Sequence, residues 1–525
     1  MRRFCLIATL ICIRYASGQT QLTTSQYDNA RTGANSNETT LTPKNVNART
    51  FGKLFSLKVD GDVYAQPLYL PGLEIPGQAK HDVLFVATEH DSVYAFDANK
   101  KAAPLWHTAF LNAGTGVTAL DARETHCPFI NPEVGITSTP VIDVNRGTLF
   151  VLARTKEKAS GTAPAFVQRL HALDVTTGKE RPGSPVRIQA SVRAQNRADK
   201  REEIPFDPQV ENPRAALLLV NGVIYLTWGS SCDAGDYHGW VMGYDEQTLE
   251  QKAVFNTSPN AKESGIWQSD TGPAADENGN LFVVTGNGEF DGDKGHDYAD
   301  TILKLALDHG ELRVRDYFTP HDQQILSQKD LDLGAGGRVL LPDQKGAHAH
   351  LALVGGKDGN LFVIDRDHMG HYDTTKDDVA QIVKLAGKLH AAPAYWNQHV
   401  YVWGDDDVLH ELSVKEGRLD LAHNGSMAPV DPGATPSISA NGDGDGIVWT
   451  VSTRTWEIFP EKLAVVHAYD AADVSRELYN SEEESDRDRA GISVRFTIPA
   501  VVNGRVYVGT RSEVDVYGLL DGAAR

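Results

Sequence analysis

Residues 83–97, VLFVATEHDSVYAFD, contain two short apolar strands joined by a polar loop. The first strand is rich in Val, Leu and Phe, and the second ends in the pattern aromatic-x-aromatic-Asp. A strand with Pro near its start, QPLYL at 66–70, precedes this pair, and PLW at 104–106 follows it. Short segments of this composition, separated by turn residues, are typical of antiparallel β-sheet. The stretch therefore predicts a unit of four consecutive strands.

The same unit recurs along the chain. A second copy reads STPVI at 138–142, TLFVL at 148–152 and RLHALD at 169–174. Further copies begin near Ala215, Gly272, Gly336, Ala391, Thr435 and Thr497. Their second strands are 223–226, 281–284, 361–364 (preceded by 351–354), 400–403, 447–450 and 506–508. Short strands with a period of roughly 45–60 residues predict a β-propeller or a solenoid.

The two ends of the repeat region favour a closed ring. The last copy has only three strands, at 497–502, 505–509 and 513–518, and a spare strand at 53–59 lies before the first copy. Pairing these ends closes a ring without exposed edges, whereas a solenoid needs capping units. We therefore expect an all-β protein: an eight-bladed β-propeller of four-stranded antiparallel blades, in which the N-terminal strand completes the last blade.

The N-terminus has the pattern of a secretory signal peptide. Arg2 and Arg3 precede an apolar run at 4–13, and Ala16-Ser17-Gly18 provides small residues before a cleavage at Gln19. We expect a signal peptide at 1–18, an extended arm at 19–50, the propeller at 51–521 and a tail at 522–525. No later stretch has the roughly 20 continuous apolar residues of a membrane span. The expected location is therefore secreted or periplasmic, without a transmembrane segment.

Charge and cysteine content limit the partners. The formal net charge is −20, and an acidic surface repels phosphate backbones, so we expect no nucleic-acid partner. Of the four cysteines, Cys5 and Cys12 leave with the signal peptide. Cys127 and Cys232 remain, and an even count in an exported protein favours a disulfide between them. Two unlinked, small apolar side chains are the alternative.

The repeat resembles that of a known family. The motif aromatic-x-aromatic-Asp-x-x-Thr-Gly, followed by an aromatic residue, is similar to the repeat of pyrroloquinoline quinone (PQQ) propeller proteins, the quinoprotein alcohol dehydrogenase-like family, over about residues 51–520. More narrowly, YDNARTG at 27–33, YAQPL at 64–68 and EHDSVY at 89–94 resemble exported acidobacterial propeller proteins of uncharacterised function. The resemblance implies a fold, which does not by itself set an activity.

In such a ring the strands of each blade run A to D from the axis outward. The B–C loops then share one face with the D–A connections between blades, and this face carries the active site in the enzymes that the repeat resembles. We expect a funnel-shaped ligand site there; a solvated loop face that binds nothing is the alternative. The expected ligand-binding residues are Glu89, His90, Asp91, Arg154, Trp267, Gln268, Asp270, Asn287, Lys357, Asp405, Arg454, Trp456 and Arg511. Glu89, Asp270 and Arg454 are the catalytic candidates among them.

Two acidic loops resemble calcium sites. Asn441, Asp443 and Asp445 alternate with glycines, as oxygen ligands do in a Ca²⁺ loop. This loop joins strands A and B, on the face away from the funnel, so an ion there would be structural. Asp291 and Asp293 form the second candidate, on the funnel face. A glycine-rich or polar turn without an ion is the alternative at both places.

The resemblance also implies cofactors. A quinone dehydrogenase of this family uses PQQ with Ca²⁺ on oxygen ligands, a carboxylate base, an Arg near the quinone and a Trp beneath its ring. Residues of the required types are Glu89, Asn287, Asp291, Arg454, Trp267 and Trp456. The chain departs from the family in two ways: it lacks the pair of adjacent cysteines that the alcohol dehydrogenases carry as a disulfide, and it lacks a Cys-x-x-Cys-His motif for haem.

These features together predict an exported, monomeric PQQ-type propeller. We expect it to bind a small molecule, a glycan or a protein in the polar funnel, without haem or classical dehydrogenase activity. Two alternatives stay open. One is a PQQ- and Ca²⁺-dependent dehydrogenase of alcohols or sugars, and the other is a glycan hydrolase or lyase that uses two funnel carboxylates, for instance Glu89 and Asp270.

Overall fold

The chain forms eight four-stranded antiparallel sheets, arranged as the blades of a β-propeller. The computed structural model describes residues 20–520 apart from 160, 196, 198, 269–270, 293, 427–431 and 454–460. Seven blades are built from strands that follow one another along the chain, so their contacts are local in sequence, and blade 8 combines three C-terminal strands with one N-terminal strand. The predicted all-β, eight-bladed architecture is confirmed.

The first four blades cover residues 68–318. Blade 1 consists of Leu68–Glu74, Lys80–Thr88, Ser92–Asp97 and Trp106–Ala109. Blade 2 consists of Val141–Asp143, Thr148–Glu157, Ala165–Asp174 and Val186–Arg187. Blade 3 consists of Leu218–Val220, Val223–Ser230, Trp240–Asp245 and Gln251–Asn256. Blade 4 consists of Ala274–Ala275, Leu281–Val284, Ile302–Asp308 and Glu311–Phe318.

The other four blades complete the ring. Blade 5 consists of Arg338–Leu340, Leu351–Gly355, Asn360–Asp365 and Gln381–Lys384. Blade 6 consists of Ala394–Trp396, His399–Trp403, Leu409–Lys415 and Arg418–Asn424. Blade 7 consists of Ser437–Asn441, Gly444–Ser452, Val465–Asp470 and Asp473–Asn480. Blade 8 consists of Ala500–Val502, Arg505–Thr510, Glu513–Leu519 and the N-terminal strand Phe51–Lys58.

Smaller elements decorate the connections. The short strands outside the blades are Ala34–Asn35, Val117–Asp121, Glu133–Val134, Ser191–Arg193, Glu203–Pro205 and Glu211–Asn212. The 3-10 helices are Ala113–Thr115 and Ala122–Thr125, and the α-helices are Gln323–Gln328 and Ser485–Asp488. None of the helices in the described part of the chain has the length and apolar character needed to span a bilayer.

Blade 8 closes the ring as predicted. Phe51–Lys58 pairs antiparallel with Glu513–Leu519, from Phe51 opposite Leu519 to Lys58 opposite Glu513. The buried Asp515 carboxylate accepts a hydrogen bond from the Ser56 hydroxyl (2.7 Å) and forms an ion pair with the Lys53 ammonium (2.6 Å). The pairing joins the two ends of the propeller, so that no blade is left with an unfinished sheet.

One strand of blade 5 was assigned wrongly from the sequence. Residues 361–364 were expected to be the second strand, but they belong to the third, Asn360–Asp365. The second strand is Leu351–Gly355, which pairs with both Arg338–Leu340 and Asn360–Asp365. The error arose because a ten-residue loop, 341–350, separates the first two strands of this blade, where the other copies have a tighter turn.

The hydrophobic core lies between neighbouring blades. One buried cluster joins blades 2 and 3 and includes Phe150, Leu170, Trp228 and Trp240. The Phe206 ring meets the indoles of Trp228 and Trp240 edge-on, at centroid distances of 5.1 and 5.8 Å. Comparable clusters join the other neighbours, and large apolar side chains on both faces of each sheet are therefore buried.

The N-terminal arm lies on the propeller axis, inside the ring of innermost strands. Its backbone pairs with blade 1, where the Leu22 and Tyr69 amides and carbonyls exchange two hydrogen bonds. Arm carbonyls accept further hydrogen bonds from the innermost strands of blades 2, 4, 5, 6 and 7. These donors are the amides of Ile142, Ala275, Leu340, Tyr395 and Ile438.

Side chains of the arm reach the two remaining blades. The Asn29 amide donates to the carbonyl of Leu219 in blade 3 at 3.0 Å. The Tyr27 hydroxyl accepts from the Val501 amide in blade 8 at 2.8 Å. We name the segment 22–35 the axial arm. It contacts the innermost strand of every blade and forms hydrogen bonds with backbone amides and carbonyls that would otherwise face an open channel.

Arg31 is the central charged group of the axial arm. Its guanidinium is fully buried and donates to the carbonyls of Ser25, Leu217 and Pro273, at 2.7, 3.2 and 2.9 Å. Gly272 must be small because a Cβ there would lie 2.9 Å from the Arg31 guanidinium. Arg31 therefore connects the arm to blades 3 and 4.

We expect Arg31→Ala to lower the free energy of unfolding by about 3 kcal/mol, because it leaves several buried carbonyls without donors. Lys44→Ala is the matched control, since Lys44 is exposed on the same N-terminal segment. Chemical denaturation of both variants measures the difference. Equal stability of the two variants would contradict the role assigned to Arg31.

Candidate functional site

A cavity of about 260 Å³ lies on the propeller axis, at the face formed by the B–C loops and the D–A connections. Its lining comes from seven of the connections between blades, including Tyr64 before blade 1, Asn212 before blade 3 and Phe496 before blade 8, and from the B–C loops of blades 3 and 5. Ser36, the residue after the axial arm, accepts a hydrogen bond at its carbonyl from the Gly442 amide in the A–B hairpin of blade 7. Because A–B hairpins lie at the opposite ends of the strands from B–C loops, the C-terminal end of the arm lies away from the cavity.

A disulfide forms part of the cavity wall. Cys127, in the connection after blade 1, is bonded to Cys232, in the B–C loop of blade 3, with Cα atoms 5.4 Å apart. The disulfide predicted from the sequence is therefore present. It fixes two loops from non-neighbouring blades against each other at the mouth of the cavity.

Trp267 provides an aromatic surface in the cavity. Its indole lies close to the backbone at Gly229 and Gly286, where an added Cβ would approach the ring to 3.3 and 2.8 Å. Tyr237 meets the indole edge-on at a centroid distance of 5.8 Å and donates its hydroxyl proton to Asp233 at 2.6 Å. Glycine at these positions is what allows the indole to lie this close to the backbone.

A lysine between two aspartates forms the charged side of the cavity. The Lys357 ammonium forms an ion pair with Asp330 at 2.8 Å and another with Asp332. Burial lowers the pKa of Lys357, but the two carboxylates outweigh this effect and raise the pKa above its usual value. Lys357 is therefore held as a cation beside the Trp267 surface.

Asn287 connects this ion pair to blade 4. Its side-chain amide donates to the Asp330 carboxylate at 2.9 Å, and its backbone amide donates to Asp332 at 2.6 Å. The side-chain oxygen of Asn287 is buried and has no hydrogen-bond partner among the described residues. This oxygen is a hydrogen-bond acceptor without a described partner, next to the ion pairs of Lys357 with Asp330 and Asp332.

Two arginines stacked on aromatic rings complete the lining. The Arg495 guanidinium lies 4.1 Å from the centroid of the Phe129 ring and donates to the Phe129 carbonyl at 2.7 Å. The Arg214 guanidinium lies 5.0 Å from the centroid of the Phe496 ring. Such stacking restrains a guanidinium against the ring.

A smaller cavity of about 30 Å³ lies beside the first and shares Tyr64, Phe129 and Arg495 with it. Burial raises the pKa of its Asp62 to about 6, although the Arg511 guanidinium, 3.5 Å away, opposes the rise. Arg511 also forms an ion pair with Glu461. This volume is about that of a single water molecule, so we place the candidate site in the larger cavity.

Of the residues predicted to bind a ligand, Trp267 and Lys357 line the larger cavity. Asn287 lies behind Lys357, and Asp405 forms an ion pair at 2.6 Å with His390, which lines the cavity. Arg511 lines the smaller cavity. Asp270, Arg454 and Trp456 lie outside the described residues.

The remaining predicted residues are engaged in the scaffold. The Glu89 carboxylate accepts from the Gly135 amide at 2.7 Å, and the Asp91 carboxylate accepts from the Arg154 amide at 3.1 Å. His90 forms an ion pair with Glu133. The Arg154 guanidinium donates to the carbonyls of Pro208 and Gln209, and Gln268 accepts from Arg338. These groups hold the loops that surround the cavity.

The predicted metal loops lie away from the cavity lining. Asp291 accepts from the Asp297 amide at 2.6 Å within its own hairpin, and Asp293 lies outside the described residues. Asn441, Asp443 and Asp445 are in the A–B hairpin of blade 7. Among the described residues, no three His, Cys, Asp or Glu side chains are grouped in a way that could hold a metal ion. Ion binding at either loop stays a prediction.

Sequence reasoning missed several residues of the cavity. Asp330 and Asp332 lie in the connection from blade 4 to blade 5, Arg214 lies before blade 3, and Arg495 lies before blade 8. All occupy D–A connections, the same topological position as Trp267. Each D–A connection ends shortly before a first strand that can be recognised in the sequence. Searching that position in every copy for polar residues would therefore have identified these four.

The fold is similar to that of solved quinoproteins. The quinohemoprotein alcohol dehydrogenase ADHIIG from Pseudomonas putida HK5 matches with a TM-score of 0.61 and 14% identity, over 95% of this chain and 80% of that chain. The quinohemoprotein alcohol dehydrogenase from Comamonas testosteroni matches with a TM-score of 0.59 and 16% identity, over 98% of this chain and 82% of that chain. A europium-containing methanol dehydrogenase matches with a TM-score of 0.55 and 14% identity, over 95% and 98%.

No family model matches the chain, and no curated protein matches it either. The structural matches have low sequence identity, so they establish the fold alone: a PQQ dehydrogenase-like β-propeller. The resemblance seen in the repeat motif is confirmed at that level. The narrower likeness to acidobacterial proteins stays a prediction.

We expect the double variant Cys127→Ser, Cys232→Ser to lose about 3 kcal/mol of unfolding free energy, because the bond closes a long loop. The sequence separation of the two cysteines is 105 residues. Denaturant unfolding of both proteins, with and without a reducing agent, measures this loss. A reducing agent should lower the stability of the wild type and leave the stability of the variant unchanged. Detection of two free thiols in non-reduced protein lacking residues 1–18 would contradict the disulfide.

Proposed function

We propose that this protein binds a small organic molecule with a flat ring and a polar edge in the axial cavity. One observation carries the proposal: the cavity combines the Trp267 indole with the cation Lys357 and the carboxylates of Asp330 and Asp332. Aromatic faces bind rings, and a few fixed polar groups orient them.

The shape of the site favours a small molecule over a polymer or a protein. The axial arm contacts the innermost strand of every blade, so the centre of the ring is not an open channel that could admit a polymer. Its volume of about 260 Å³ suits a single ligand of modest size. The Cys127–Cys232 bond restrains the mouth and limits how far the loops can open for a larger partner.

A PQQ-dependent oxidoreductase is the second candidate, and the polar groups around Lys357 favour it. PQQ, the cofactor implied by the fold family, needs a flat protein surface against its ring, a cation near its carbonyl edge, and oxygen donors for Ca²⁺. Trp267 and Lys357 would supply the first two. The unpartnered side-chain oxygen of Asn287 and the carboxylates of Asp330 and Asp332 are hard oxygen donors. The residues present therefore fit the cofactor.

When bound, PQQ supplies the capacity to accept two electrons and two protons from an alcohol or sugar. The chain's own residues would position it: the indole of Trp267 orients the ring, and Asn287 holds Asp330. Asp332, the buried carboxylate beside Lys357, is the candidate general base for the substrate hydroxyl. Without a haem motif, electrons would leave to a separate acceptor.

We also propose that the protein is exported. The Cys127–Cys232 bond supports this, since disulfides persist in oxidising compartments. The signal-like segment 1–18 lies outside the described residues. Export would place the cavity in the periplasm or outside the cell.

Titration of purified protein with PQQ, with and without Ca²⁺, tests both candidates. We expect saturable binding, and we expect Trp267→Ala and Lys357→Met each to weaken it at least tenfold, because they remove the ring contact and the cation. Lys252→Met is the control: Lys252 is half exposed on blade 3 and pairs with Asp245 and Glu250.

Calcium dependence and dye-linked oxidation of alcohols or sugars separate the two candidates. Binding with turnover supports the oxidoreductase. Binding without turnover supports the ligand-binding protein alone. Binding that is absent, or that is equal in wild type and both cavity variants, would overturn the assignment of PQQ to this cavity.

A further inference from the structure

A second buried arginine, Arg338, follows the residues that line the cavity closely in sequence. Trp267 and Ala335 line the cavity, and Gln268 and Arg338 follow them one and three residues later in the chain. Both side chains are completely buried. Arg338 opens the innermost strand of blade 5, so its side chain belongs to the core around the axis.

The polar contacts of this pair are incomplete. One guanidinium nitrogen of Arg338, Nη1, donates to the side-chain oxygen of Gln268. The other donors, Nε and Nη2 of Arg338 and Nε2 of Gln268, are buried and have no partner among the described residues. No carboxylate in that part of the chain pairs with Arg338. Three N–H donor groups are therefore left unused around one positive charge.

The neighbouring charge makes this arrangement less favourable still. Arg31 is also completely buried, and its donors are used by carbonyls and the Thr24 hydroxyl. Burial, and then the positive charge of Arg31, hold the pKa of Arg338 well below its usual value. A guanidinium nevertheless keeps its proton in proteins. An isolated buried charge is costly, so this one requires a counter-charge.

We propose that a small inorganic anion of the size of chloride binds beside Arg338, at the edge of the guanidinium formed by Nε and Nη2, both of which donate to it. Nη1, on the opposite side of the guanidinium, donates to Gln268. An anion fits better than a water molecule because both protein groups at this edge are donors on a positive charge. A water molecule accepting from them would still need acceptors for its own two protons. The anion neutralises the buried charge of Arg338 and links the fold's stability to anion concentration.

Thermal unfolding at constant ionic strength tests the proposal, with sodium chloride exchanged stepwise for sodium gluconate, whose anion is too large for a buried site. We expect the wild-type Tm to rise as chloride replaces gluconate. We expect Gln268→Glu to lose this dependence, because its carboxylate would pair with Arg338 in place of the anion. Arg313→Met is the control, since Arg313 is exposed and pairs with Glu311 on blade 4.

Crystals of the wild type soaked in sodium bromide provide the second measurement. We expect an anomalous bromide peak beside the Arg338 guanidinium. This readout decides the question even if Gln268→Glu does not fold. A wild-type Tm that is the same in chloride and gluconate, a chloride dependence that persists in Gln268→Glu, or the absence of bromide at Arg338 would overturn the proposal.

Discussion

Hydrogen bonds between the axial arm and the innermost strands hold the eight blades around one axis. An innermost strand has a neighbour on one side only, so its other edge exposes amides and carbonyls to the centre of the ring. Residues 22–35 satisfy such groups in every blade, through backbone carbonyls in most of them and through Tyr27, Asn29 and Arg31 in the others. The pairing of Phe51–Lys58 with the C-terminal strand closes the ring outside this centre.

The arrangement of the candidate site follows from this constraint. The axial arm lies between the innermost strands, and the B–C loops and D–A connections surround the cavity. The Trp267 indole lines the cavity and packs against the backbone of two glycines, Gly229 and Gly286. The Cys127–Cys232 bond restrains two of the loops in the cavity wall, and Lys357 is fixed between the carboxylates of Asp330 and Asp332. The buried charge of Arg338, at the start of the innermost strand of blade 5, belongs to the same axial core. The residues proposed to bind a ligand and those proposed to bind an anion therefore both lie around the propeller axis.

The sequence predicted the scaffold well because seven of the eight blades are made of consecutive strands. Strand composition and turn residues located most strands, and the incomplete last copy predicted the closing strand. The disulfide was predicted from the cysteine count, and loop position placed Trp267 and Lys357 on the face where the cavity lies; that they bind a ligand stays a prediction. The axial arm's contacts were not found, because its hydrogen bonds are made largely by backbone carbonyls and need no residue pattern. Asp330 and Asp332 were missed because the connection after blade 4 contains a short helix, Gln323–Gln328, that obscures where the loop approaches the axis.

Amide hydrogen exchange of the native protein tests the central claim most directly. The amides of Ile142, Ala275, Leu340, Tyr395 and Ile438 donate to carbonyls of the axial arm. If the arm holds the blades together, these five amides exchange as slowly as amides inside the blades, such as Val448 and Val506. Exchange of the five at the rate of exposed loops, while the blade interiors stay protected, would show that the arm does not occupy the axis and would contradict the account.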